Sequence, residues 1–114
     1  MTWYGVDPMD WTRIEELRDE VGDEALEEIL EVFISEIDDF IDTLNARDSV
    51  ASLAGDLHFL RGAALNIGFQ ALAEACQSGE SMAKAGQGAD VDLTAIVARY
   101  GECRAELATR HAIH

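Results

Sequence analysis

The chain has 114 residues, 48% apolar and 27% charged, a globular composition at the size of one domain, expected to span residues 1–114. Its net charge of −15 repels nucleic acid and anionic membrane, so it reads instead as serving a protein partner with a basic or mixed face, or simple solubility. No run of about 18 apolar residues is present to span a membrane. The start, "MTWYGVDPMDW", has neither the basic n-region nor the apolar h-region of a secretory signal, and a cytoplasmic location is the expectation.

Asp7 followed by Pro8 predicts an N-cap with proline at the first helical position, opening a short helix over 8–20. Val21-Gly22-Asp23 closes it and caps the next helix, over 24–45. There Leu26, Ile29, Leu30, Phe33, Ile34, Ile37, Phe40, Ile41 and Leu44 form a wide apolar stripe. The acids of 15–28 and 36–42 fall between these positions and read as a solvated face. Asn45–Ser49 is a polar turn.

A third helix is expected over 50–67, with Val50, Leu53, Leu57, Leu60, Ala64 and Ile67 in a narrow seam and Gly68 ending it. A fourth, over 69–85, turns Phe69, Leu72, Ala73, Cys76 and Met82 inward. "AGQGAD" (85–90) is a loop, and a fifth helix over 92–110 carries Leu93, Ile96, Val97, Tyr100, Cys103 and Leu107. The fold class is therefore all-α: an antiparallel up-down-up-down four-helix bundle with a short extra N-terminal helix capping one end. Trp3, Tyr4 and Trp11 are expected to pack at that end, the alternative being an exposed aromatic patch for a partner. Cys76 and Cys103 sit on apolar faces and read as small core residues.

"LHFLRGAALNIGF" (57–69) carries the chemistry. At about 100° per residue, His58 falls roughly 135° from the centre of the seam and points outward. Gly62 lies one turn further along, where any side chain would lean back over His58. Gly55 lies one turn before it on the same stripe. Each mid-helix glycine costs about 1 kcal/mol relative to alanine, and two beside one exposed histidine point to a surface kept open for close approach. Arg61 lies three residues after His58, so its guanidinium can lean near the imidazole. A neutral imidazole attacks phosphorus without a general base, and an arginine holds phosphoryl oxygens by charge-assisted hydrogen bonds.

"HFLRGAALNIG" resembles the motif of histidine-phosphotransfer (HPt) domains, His-x-aliphatic-Lys-Gly-x-x-x-x-x-Gly. His58 matches the phosphorylated histidine, Leu60 the aliphatic position, Gly62 the small residue beside the histidine and Gly68 the closing glycine. Downstream, "GFQALAEACQSGE" resembles the family's glycine, aliphatic, cysteine and glutamate spacing, with Cys76 and Glu80 in place. Upstream, "VGDEALEEILEVFISEIDDFIDTL" resembles its acidic second helix. The resemblance covers about residues 11–110. Two positions depart from the pattern. Arg61 stands where lysine is usual, replacing a point charge with a planar fork. Gly79 stands where leucine commonly precedes the glutamate, which is expected to loosen the fourth helix and leaves Glu80 without an assigned role.

The resemblance implies a phosphocarrier of multistep two-component relays, taking a phosphoryl group from a receiver aspartyl-phosphate or a kinase and passing it to another receiver. It implies no kinase activity and no nucleotide site of its own, in keeping with the absence of a P-loop. No cofactor of its own is expected; Mg2+ is expected on the partner receiver domain. Leu65, on the His58 side of its helix, reads either as an exposed apolar contact for the receiver or as peripheral core. A monomer is the default. Three rival readings are an HPt-like module that binds without carrying phosphate, an acidic helical interaction module, and a metal site from His58, His111, His114 and the cysteines. The last has no ligand pair at helical i, i+4 or CxxC spacing.

Overall fold

The computed structural model describes residues 7–46 and 52–111. Among them run four helices, α1 (Trp11–Ala46), α2 (Leu53–Asn66), α3 (Gln70–Lys84) and α4 (Leu93–His111), with a 3-10 turn at Gly88–Asp90 and no strand. This is the expected all-α bundle, with short connections between α2, α3 and α4.

The two expected N-terminal helices are limbs of one kinked helix. The kink is at Gly22, whose φ of 85° and ψ of 166° lie outside the helical range and in a region that favours glycine. The expected opening at Pro8 does not form. Residues 8–10 use their backbone groups on the α2–α3 corner: Asp10 N donates to Gly68 O at 2.7 Å, and Ala71 N donates to Pro8 O at 2.9 Å. The helix starts instead at Trp11, behind Asp10, whose Oδ1 accepts from Arg13 N at 3.4 Å. Asp7 accepts from Met9 N, Trp11 Nε1 and Arg110 Nη1. Trp11 packs at this end under the Arg110 guanidinium, 4.4 Å from its ring centroid, as a cation–π pair. Trp3 and Tyr4 lie outside the described residues, as do Val50 and most of the expected 45–49 turn.

The core follows the periodicity. α1 buries Ile14, Leu17, Leu26, Leu30, Ile34, Ile37, Ile41 and Leu44, while Phe33 and Phe40 are half-buried at its margin. α2 buries Leu53, Leu57, Leu60 and Ala64, and Ile67 closes the seam. α3 buries Leu72, Ala73 and Cys76, but Met82 is only half-buried; Gly79 and Glu80 occupy the buried face instead. α4 buries Ile96, Tyr100, Cys103 and Leu107. Tyr100 ties α4 to α1: its hydroxyl donates to Asp38 Oδ1 at 2.6 Å, and burial with that carboxylate pushes the phenol above its usual range. Both thiols are free and buried, as expected. Desolvation pushes Cys76 up to about 12 and Cys103 to about 11, so neither carries thiolate at neutral pH.

The α2–α3 corner fixes the end of the helix that bears the histidine. Ile67 is the C-cap, Gly68 follows with φ 72°, and two bonds close the turn: Gly68 N to Leu65 O at 3.3 Å and Phe69 N to Ala64 O at 2.9 Å. This is a Schellman motif, with Phe69 buried behind it. A Cβ at residue 68 would stand 2.6 Å from Asp10 O, so both backbone conformation and close approach require glycine there.

Candidate functional site: an exposed histidine on a buried carboxylate

The seam of α2 faces the core, which sends His58 to the opposite side. Its side chain is 64% exposed, as the helical wheel predicts. Gly55 and Gly62 flank it, and a Cβ built on either would meet no atom within 4 Å. The fold therefore does not require glycine at these positions. The space they leave faces outward, over the imidazole.

The ring is not free to turn. Nδ1 lies 3.1 Å from Oε2 of Glu80 on α3, whose side chain is only 7% exposed. Glu80 is one residue after Gly79 and four after Cys76, on the buried face of α3. Lys84, one turn later, places Nζ 2.9 Å from the same Oε2, and Arg61 Nε stands 3.5 Å from Oε1. The Lys84 hydrogen bond is the largest cause holding the Glu80 carboxyl below its ordinary value, against the opposing effect of desolvation; the Lys84 charge and the His58 contact add to it. Glu80 is thus a carboxylate, and a carboxylate only accepts. Its contact with His58 is a hydrogen bond when Nδ1 carries the proton.

Arg61 Nη2 also approaches Nδ1, at 3.3 Å. A guanidinium only donates, so this contact and the Glu80 contact cannot both be hydrogen bonds to one nitrogen. The carboxylate is closer and needs partners in its buried position, which assigns the proton to Nδ1. Nε2 then carries the lone pair, and among the described residues it has no hydrogen-bond partner. The planar fork of arginine sets Nε against Glu80 and leaves Nη2 beside the ring with its protons available to another acceptor. A lysine ammonium has one nitrogen for both tasks, which gives Arg61 in place of the usual lysine a geometric account.

Beside His58 a shallow groove runs between α1 and α2, lined by Phe33, Glu36, His58, Phe59, Gly62, Ala63 and Asn66. Phe59 is 57% exposed and packs against Phe40 with ring centroids 5.2 Å apart. Leu65 is 46% exposed, which resolves its two readings in favour of a surface residue, although it does not line the groove. Phe59 does, and the sequence reading omitted it. Among the described residues no three His, Cys, Asp or Glu side chains cluster as metal ligands, and His114 lies outside them.

The sequence reading also left Glu80 without a role and passed over Lys84. A signal was present. Cys76 lies on the apolar stripe of α3, so an acid four residues later falls on the same buried stripe, and a lysine four residues beyond that is placed to pair with it.

The model of the Hpt domain family matches residues 28–111, well over half of the chain and including every residue of the site. The chain belongs to the Hpt domain family. The match begins within α1, so it is narrower at its N-terminal end than the resemblance over 11–110, and the limb before Gly22 lies outside it. No curated protein and no solved structure matches the chain. Hpt domains serve histidine phosphotransfer in phosphorelays as phosphocarriers, not kinases, and interact there with receiver domains and kinases. In this Hpt domain no described helix is long and apolar enough to cross a membrane.

Proposed function

We propose that this Hpt domain carries a phosphoryl group on Nε2 of His58, received from the aspartyl-phosphate of a receiver domain or from a kinase and passed to another receiver. The observation that carries this reading is the fixed orientation of an exposed imidazole by a buried carboxylate, 3.1 Å from Nδ1.

The chemistry follows from that orientation. The Nε2 lone pair attacks phosphorus, a nitrogen–phosphorus bond forms, and the bond from phosphorus to the aspartate oxygen breaks, releasing the carboxylate. No proton leaves the ring, because Nδ1 already holds it. The ring becomes cationic as the bond forms, and the Glu80 carboxylate against Nδ1 stabilises that charge. The step runs equally in reverse, so one site serves both acceptance and donation. Arg61 supplies donors to the phosphoryl oxygens. Gly62 and Gly55 leave the receiver's aspartate a path to the ring. The groove with Phe33 and Phe59 offers the receiver an apolar contact, and Leu65 extends the exposed apolar surface of α2. The receiver brings the aspartate and the Mg2+ that neutralises the transferring group. The protein acts as a monomer in the cytoplasm, and residues 1–114 work as one domain.

The test is to incubate the protein with a phosphorylated receiver. Acid-labile label on the wild type and none on His58→Gln supports the reading. Label that persists in His58→Gln overturns it.

A further inference from the structure

We propose that Gly79 is a positioning residue for the phosphoacceptor, setting the distance between α3 and α2 at which Glu80 reaches His58. This rests on the reading that His58 accepts the phosphoryl group. The sequence alone suggested that glycine here loosens α3; the structure assigns it a spacing role instead.

Gly79 differs from Gly55 and Gly62, which face open space. It is buried in the middle of α3. A Cβ at residue 79 would stand 2.8 Å from Leu57 Cδ1, 3.1 Å from Val91 Cγ1 and 3.5 Å from Ile96 Cδ1. Carbon atoms pack at about 3.5–4.0 Å, so a methyl group there overlaps Leu57 Cδ1 and Val91 Cγ1, and either the enclosed Leu57 side chain repacks or α3 moves away from α2. Leu57 is fully buried and shares a peptide bond with His58. Glu80 is the next residue after Gly79. Movement of α3 away from Leu57 acts directly on the neighbours that carry the two ends of the His58–Glu80 contact.

That contact has little slack. At 3.1 Å it stands near the long end of the N–H···O range of about 2.7–3.2 Å. A shift of half the overlap takes the carboxylate out of reach, and Nδ1 is left to Arg61, which stands at 3.3 Å and only donates. The preference for a protonated Nδ1 is then lost, and Nε2 carries the proton in part of the molecules. Glycine has poor intrinsic helix propensity, and the close approach it permits at residue 79 is what holds the reactive tautomer.

The test uses the full chain with 15N-labelled histidine, as wild type, Gly79→Ala, Leu57→Val and the double variant. Leu57→Val with Gly79→Ala exchanges one carbon for another at the point of contact, so the core volume is nearly conserved. The ring-nitrogen signals report the tautomer without any phosphotransfer, so they test positioning even if His58 proves not to be the acceptor. The expected result is a protonated Nδ1 in the wild type, a mixed tautomer in Gly79→Ala with transfer slowed by about ten- to a hundredfold, and recovery of both in the double variant. If Gly79→Ala alone does not fold, the folded double variant with a protonated Nδ1 supports the proposal. A folded Gly79→Ala with the wild-type tautomer, or a folded double variant with mixed tautomers, overturns it.

Discussion

Nδ1 of His58 lies 3.1 Å from Oε2 of Glu80, although 22 residues and a helical corner separate the two in sequence. One end of this contact is exposed and the other is buried. The buried end is held by Lys84 and Arg61, so it directs the exposed end. Replacing Glu80 with Gln removes the charge but keeps the shape. A neutral amide can accept from or donate to Nδ1, so the tautomer preference is expected to collapse. Ring-nitrogen NMR should then report a mixture, and phosphoryl transfer should slow by about tenfold or more, as for loss of one preorganised charged partner. An unchanged Nδ1-protonated tautomer in Glu80→Gln would contradict the assignment of that proton to the carboxylate, since Arg61 beside Nδ1 only donates.

The same carboxylate predicts a pH dependence of stability. The folded protein holds the Glu80 carboxyl below its ordinary value, chiefly through Lys84. The stabilisation is therefore complete above the ordinary carboxylate range and is lost as pH falls through the lowered value. Wild type and Glu80→Gln should differ in thermal stability near neutral pH and converge in acid. Melting curves across that range check the sign; a difference that widens in acid would contradict it.

Exposure and burial on α2 predict opposite consequences for neighbouring residues. His58→Ala removes a mostly exposed side chain and one of the partners of the Glu80 carboxylate, which keeps Lys84 and Arg61, so a loss of stability well below that of a core truncation is expected, with complete loss of phosphoacceptance. Leu60→Ala, two residues away and fully buried, should cost about 2–5 kcal/mol. Chemical denaturation of the two variants side by side measures the contrast.

Gly62→Gln adds a side chain where the fold leaves open space. The helix gains propensity, so the melting temperature should hold or rise. Transfer from a receiver should fall sharply, because the new side chain leans over the imidazole. A variant with wild-type transfer rates would remove the steric role of this glycine.

The sequence made the helices, the seams and the outward position of His58 legible, because a period of 3.6 residues is local information. The wheel separated Leu57 from His58 correctly, and Gly68 marked the end of α2. What was not legible depends on distances between helices. Asp7-Pro8 carries a valid local signal for a helix start, yet residues 8–10 bond to the α2–α3 corner and the helix waits until Trp11. Glu80 could be placed on the buried face of α3 by counting from Cys76, but its partner on α2 could not. Gly79 looked like a weakness within α3, since the side chains it accommodates, Leu57 and Val91, are distant in sequence. Phe59 was passed over because its support, Phe40, belongs to another helix.

The most direct test of the account is to locate the phosphoryl group on the ring. The 15N-labelled protein, phosphorylated by a receiver, should show phosphorus–nitrogen coupling to Nε2 of His58, with Nδ1 still protonated. Coupling to Nδ1, or label on any other residue, would contradict the account.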